Sequence, residues 1–157
     1  MFVLREACIG DAAEIARLAG ELGYPASADD MRERLHSLLP MPRQRIVVAQ
    51  GEGLLGWIAM ERRQTLESGE FIEIAGLVVD AAARGQGVGR ALVTDAEQWA
   101  LGQGCGAISV RSNVVRDGSH PFYGSLGYAR TKTQHMYRKA LQSAARDGRP
   151  FDPCDQE

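Results

Sequence analysis

Seven residues in the middle of the chain, Arg84-Gly-Gln-Gly-Val-Gly-Arg90, have the make-up of an anion-binding turn. Before them the apolar run Leu77, Val78, Val79 ends at Asp80, which predicts a buried strand. After them Val88, Leu92, Ala96 and Trp99 recur at helical spacing. A strand, a glycine-rich turn and a helix in that order leave the turn's backbone N–H groups pointing inward, and the helix N-terminus adds partial positive charge. Gly85, Gly87 and Gly89 remove the side chains that would keep a phosphate from the backbone. The segment therefore predicts a pyrophosphate cradle. The backbone N–H of Arg90 belongs to the helix start, and Arg84 can hold a phosphate or organise the loop. A solvated charge is the plainer alternative for either side chain.

Two common cradles are excluded by spacing. A dinucleotide fingerprint needs G-x-G-x-x-G, and here the third glycine comes one residue early. A Walker loop needs a Lys-Ser or Lys-Thr pair, which the segment lacks. What remains is Arg84-x-x-Gly87-x-Gly89 after Leu77-x-Val79, with Ala81 at a position where proline is common. This pattern resembles the coenzyme-A signature of GNAT-type N-acetyltransferases. A second match lies downstream, where Asn113 is followed by Phe122-Tyr123-Gly-Ser-Leu126-Gly127-Tyr128. Asp117-Gly118 makes a turn there, Ser119 can cap a short helix, Pro121 suits its first turn and Gly127 can end it. Phe122, Leu126 and Tyr128 read as core. Together the resemblance covers about residues 1–140.

The resemblance implies a mixed, mostly antiparallel sheet flanked by helices, in the order β-α-α-β-β-β-α-β-α-β, with acetyl-CoA as co-substrate and no metal. It implies cofactor contacts from Leu77, Val78, Val79, Arg84, Gly85, Gln86, Gly87, Val88, Gly89, Arg90, Asn113, Ser119 and Tyr123. Tyr123 would place its hydroxyl beside the thioester sulfur and act as the catalytic acid. An alkyl amine, with a pKa near ~10, must lose a proton before it attacks. The family uses a strand carboxylate acting through water, and the strand here offers Glu70 and Glu73, with Glu73 taken as the base. Alternation would put Glu73, Ala75, Leu77 and Val79 on one face. A bulge expected at Ala75-Gly76 would shift that alternation, splay a pair of strands so that pantetheine can enter, and free backbone amides for the thioester carbonyl. The alternative for Glu73 is a salt-bridged or solvent-facing strand residue.

The surrounding elements follow the same order. Val3 and its neighbours (residues 2–6) open with a strand, and Asp11 with Glu14 predicts a capping box for a helix with Ile15, Leu18, Ala19 and Leu22 inward. Ser27 can cap a second helix carrying Met31, Leu35 and Leu38. Residues 45–50 and 54–61 read as a hairpin, residues 70–80 as the central strand and residues 128–141 as a last strand. The expected organisation is one acetyltransferase domain over residues 1–141 and a polar tail over 142–157. Trp57 could line an acceptor pocket, although core is its plainer role. His120, next to the proposed helix start, could contact cofactor or substrate, although a surface residue is its plainer role; His36 and His135 have no partner visible in the sequence.

Composition bounds the reading. The 157 residues suit one domain with its own core. Hydrophobic residues make up 45% and charged residues 24%, which are ordinary globular values. A net charge of −2 gives no footprint for nucleic acid. No apolar run approaches a membrane span, and Arg5 brings charge too early for a signal peptide. Cys8, Cys105 and Cys154 have no metal spacing and read as free thiols of a cytoplasmic protein. The resemblance implies a small-molecule amine as acceptor, with a protein or peptide amine and a non-catalytic acyl-CoA-binding module as alternatives. Its specificity would lie in residues 24–42 and 62–69. A homodimer through the last strands is also implied by the resemblance.

Overall fold

A computed structural model describes residues 1–111 and 119–142 of the chain. It divides into two compact units, Met1–Arg111 and Ser112–Glu157. The first unit carries strands β1 (Val3–Glu6), β2 (Gln44–Gln50), β3 (Leu54–Thr65), β4 (Gly69–Val79) and β5 (Ile108–Val110). It also carries helices α1 (Ala12–Glu21), α2 (Ala28–Leu38) and α3 (Val88–Gly102). The strands form one sheet in sequence order, antiparallel from β1 to β4 and parallel between β4 and β5. A parallel pair needs a crossover connection, and α3 supplies it.

Each face of the sheet buries one apolar cluster. Val47, Ala49, Ile58, Met60, Ile72 and Ile74 pack on one face against Val88, Leu92, Ala96 and Ala100 of α3. Ile46, Val48 and Val78 pack on the other face against Ala12, Ile15 and Leu18 of α1 and Leu35 of α2. Alternation along β2 and β3 thus feeds both layers, each fully buried aliphatic side chain contributing roughly 1.5–3 kcal/mol. Ser27 caps α2 as expected, its side chain accepting a hydrogen bond from Asp30 N at 3.0 Å. Cys8 and Cys105 are free thiols, the second buried. Among the described residues no helix is long and apolar enough to cross a membrane.

The expected capping box at α1 does not form. Asp11 accepts instead from Arg5 Nη1 and Nη2, both at 2.8 Å, and from Cys8 N at 2.9 Å. Glu14 pairs with Arg17. A forked guanidinium is a stronger donor than an exposed backbone amide, so Asp11 turns back to tie β1 to the start of α1. Arg5 and Cys8 hold its carboxyl down at about 2.

The first element described in the second unit is α4 (Ser119–Ser125). Gly127, at φ +88°, ends it, with Tyr128 N donating to Tyr123 O at 3.1 Å. The last strand expected over residues 128–141 is not formed. Residues 129–141 are exposed and pair with no strand. Alternating residue types favour a pleated surface, but only a neighbouring backbone edge makes a ladder.

Candidate active site

The glycine turn is built from the end of β4. Asp80 N donates to Leu55 O at 2.8 Å, and its Oδ1 accepts from Ala82 N at 2.9 Å. These bonds fold Ala81–Ala83 into a short 3-10 turn that buries Ala83 against the α3 cluster. The Ala82 amide, followed by the Arg17 guanidinium, holds the Asp80 carboxyl below its ordinary value. Arg84 is extended, and Gly85 and Gly87 then adopt φ of +80° and +83°. An L side chain is strained in that region, so the turn needs glycine twice.

Gly87 is also the cap of α3, and no side chain caps this helix end. The first intrahelical bond runs from Ala91 N to Gly87 O at 3.0 Å. The earlier amides, of Val88, Gly89 and Arg90, have no place in the helix ladder. A Cβ built at Gly85 or Gly87 meets nothing within 4 Å, so the surface over these amides is open. Arg84, Gln86 and Arg90 are exposed around it, and Val88 is buried beneath it. Free N–H groups at a helix N-terminus are suited to an anion.

The expected bulge is present in β4. Met60 pairs with Ile74 and Ala59 with Gly76, which leaves Ala75 unopposed. On the other edge β5 pairs only with Ile72, Glu73 and Ile74. From Ala75 to Val79, β4 therefore has β3 on one side and no strand on the other among the described residues. The extra residue also reverses the alternation. Leu77 and Val79 join Ile72 and Ile74 on the α3 face, while Val78 packs toward α1 and α2. The expectation that Glu73 shares a face with Leu77 and Val79 is thereby corrected: Glu73 lies on the opposite one.

Both candidate carboxylates are held by guanidinium groups. Glu73 is mostly buried, with Oε2 at 3.1 Å from Arg63 Nη1 and Oε1 at 3.0 Å from Arg111 Nε. Glu70, on the α3 face, pairs with Arg62 and, at 3.2 Å, with Arg43. Arg62 foremost, then Arg43, holds the Glu70 carboxyl below its ordinary range. Trp57 packs against the α1 and α2 cluster, with its six-membered ring over Gly76. A Cβ on Gly76 would stand 2.9 Å from Trp57 Cζ3. The indole Nε1 is buried without a partner among the described residues.

In the second unit, Ser119 opens α4, and Tyr123 is half-buried between the rings of Phe122 and Tyr128. Asn113 lies outside the described residues. His36 and His135 are exposed. Sequence reasoning missed three residues, Arg17, Arg63 and Arg111, because only the tertiary fold brings Arg17 to Asp80 and Arg63 and Arg111 to Glu73. It also missed a shallow groove of about 360 Å³ along α3, lined by Leu4, Thr94 and Gln98 as well as Gly87 and Arg90.

A glycine turn with positive φ at a helix start thus lies at the end of a bulged central strand that, past the bulge, has one strand neighbour among the described residues. Comparison with known proteins gives the family. A sequence profile described as the acetyltransferase (GNAT) family matches residues 12–128. The chain belongs to that family, a class of acyl-CoA-dependent N-acetyltransferases. It is 35% identical over 80 residues to an uncharacterised N-acetyltransferase of Bacillus subtilis strain 168, covering 50% of this chain and 55% of that one. The match thus spans about half of that relative's length. An aminoalkylphosphonate N-acetyltransferase of Salmonella typhimurium is 33% identical over 126 residues, 79% of this chain and 78% of its own. Among solved structures, AAC(6')-Iy in complex with the bisubstrate analogue CoA-S-monomethyl-acetylneamine superposes with a TM-score of 0.79. It is 18% identical and covers 90% of this chain and 99% of its own, and it shows the shared fold.

Proposed function

We propose that the protein moves an acetyl group from acetyl-CoA to a primary amine of a small molecule, by direct attack in a ternary complex. The observation that carries this reading is the pair of left-handed glycines feeding an uncapped α3 beside the Ala75 bulge. The backbone of residues 84–90 would hold the pyrophosphate. The free edge formed by Leu77, Val78 and Val79 would pair with pantetheine as if with an added strand, and amides beside the bulge would polarise the thioester carbonyl. Asn113, Ser119 and Tyr123 complete the proposed contacts. Acetyl-CoA supplies the activated acyl group, and the remaining work is proton transfer by this chain.

Glu73 is the proposed base, taking the amine proton through water. Its ion pairs with Arg63 and Arg111 hold the carboxylate in place. Glu70 is the alternative, its carboxyl held below the ordinary range by Arg62 and then Arg43. Tyr123 is the proposed acid. A phenol with a pKa near ~10 stays protonated at neutral pH and can donate as charge builds on sulfur.

A small acceptor is supported by the names of the relatives, which concern an aminoalkylphosphonate and an acetylated neamine. Thiol release from acetyl-CoA, screened over amines and peptides, tests the reading. Turnover with a small amine supports it. Turnover confined to peptides, or acetyl-CoA binding with no acceptor at all, overturns it. The proposal includes a homodimer, for which the exposed Met136, Tyr137 and Leu141 offer apolar surface. A monomer by light scattering refutes the dimer.

A further inference from the structure

Arg17, in the middle of α1, has a forked set of partners. Two of them, Glu14 (2.7 Å) and Glu21 (3.3 Å), are on its own helix. The other two are remote in sequence: Nη1 lies 3.2 Å from Asp80 Oδ2, and Nη2 donates to Leu54 O at 3.3 Å. Asp80 is the residue on which the glycine turn hangs. One oxygen of its carboxylate accepts from Ala82 N, and the other faces Arg17. Its backbone N–H is tied to Leu55 O and its carbonyl to Ala83 N. One guanidinium therefore grips both the strand end beside the turn and the carboxylate that caps it.

We infer that Arg17 is a positioning residue for the pyrophosphate loop, acting through Asp80; this rests on the proposed acetyl-CoA reading. A loop whose amides are already oriented loses less entropy when an anion binds. Without Arg17 the Asp80 carboxylate can turn to water. The turn over Ala81–Ala83 then loosens, and the amides after Gly85 lose their common direction. The glutamates on α1 serve the same end by holding the guanidinium over Asp80.

Positioning can be told apart from simple charge attraction. Asp80→Asn keeps an oxygen for Ala82 N but releases Arg17. On charge alone, losing a carboxylate beside an anion site tightens binding, whereas loss of positioning weakens it. Arg17→Lys keeps the charge but not the fork. Acetyl-CoA and S-acetylpantetheine, which lacks the pyrophosphate, are titrated into wild type, Arg17→Ala, Arg17→Lys and Asp80→Asn. Calorimetry measures the first ligand, ligand-observed NMR the second, and thermal melting confirms each fold.

The expected result is a two- to fivefold weaker Kd for acetyl-CoA in all three variants, about what a partly exposed ion pair can supply. S-acetylpantetheine should bind them as it binds wild type. Tighter acetyl-CoA binding by Asp80→Asn overturns the inference, as does unchanged binding by Arg17→Ala. Equal weakening of both ligands also overturns it, since that marks general damage. If wild type itself fails to bind acetyl-CoA, the reading beneath falls and the inference falls with it.

Discussion

Replacing Gly87 by alanine isolates the backbone contribution to the cradle. Gly87 sits at φ +83°, and a Cβ placed there meets nothing within 4 Å. The cost in the free protein is therefore conformational, about 1–2 kcal/mol for an L residue in the left-handed region. If the loop keeps its shape, stability falls by that amount, and the new methyl stands where a phosphate would come. If the loop relaxes, the amides of residues 88–90 turn away and the same energy is lost on binding. At 1.36 kcal/mol per tenfold, the relaxed loop weakens acetyl-CoA binding by about five- to thirtyfold. Gly87→Val should be worse, because a β-branched side chain is more restricted there. Gly104→Ala is the control. It sits at φ +77°, also with nothing within 4 Å, beyond the far end of α3. The 15 residues of that helix separate the two sites by about 22 Å. If strain alone mattered, both variants would lose about 2–8 °C in Tm and bind alike. The expected result is a comparable Tm loss in Gly104→Ala with wild-type affinity by calorimetry, against weakened affinity in Gly87→Ala. Wild-type affinity in a folded Gly87→Ala refutes the cradle.

Tyr123→Phe keeps the ring and its edge contacts, so kcat should fall at least about tenfold with little change in acetyl-CoA affinity. Wild-type kcat, measured where chemistry limits the rate, would show that Tyr123 only packs. Glu73→Gln should lower kcat at neutral pH, with the loss shrinking as pH approaches the amine's own pKa near ~10. A loss that stays constant with pH, or a change in Tm alone, identifies Glu73 as an ion-pair residue. Asp11, held at about 2 against 3.8 for the free group, contributes stability that is fully present above pH 4 and lost as pH falls toward 2. Urea unfolding should show a decline of about 2 kcal/mol over that window, absent in Asp11→Asn; identical acid profiles would refute it.

The features of the site legible in the sequence are those in which residue type dictates backbone shape. Gly85 and Gly87 sit at positive φ because only glycine does so without strain, and Val88, Leu92 and Ala96 face the core because helical spacing requires it. The bulge at Ala75 was expected from the family resemblance, and the pairing of Ala59 with Gly76 and of Met60 with Ile74 bears it out. Its shift of the alternation was expected too, but not which glutamate it would turn: a single unopposed residue puts Glu73 on the face opposite Leu77, where simple alternation put both on one. The misread cap at Asp11 has a different origin. The local pattern with Glu14 was right as a pattern, but Arg5 arrives from a neighbouring strand with a stronger donor.

The same distinction separates the proposed donor machinery from the proposed base. The donor cradle is made of peptide groups, so its chemistry lies in the backbone of residues 84–90, with Arg17 and Asp80 inferred to orient it. The placing of the Glu73 carboxylate depends on Arg63 across a strand pair and on Arg111 just past β5, neither of which its own neighbourhood in the sequence announces. Acetyl-CoA binding should therefore tolerate substitution in the Arg63 and Arg111 ion pairs, while turnover should not. Arg111→Ala removes one of the two groups that orient the carboxylate, so kcat should fall at unchanged acetyl-CoA affinity, and a wild-type kcat would show that this ion pair does not position Glu73 for the reaction.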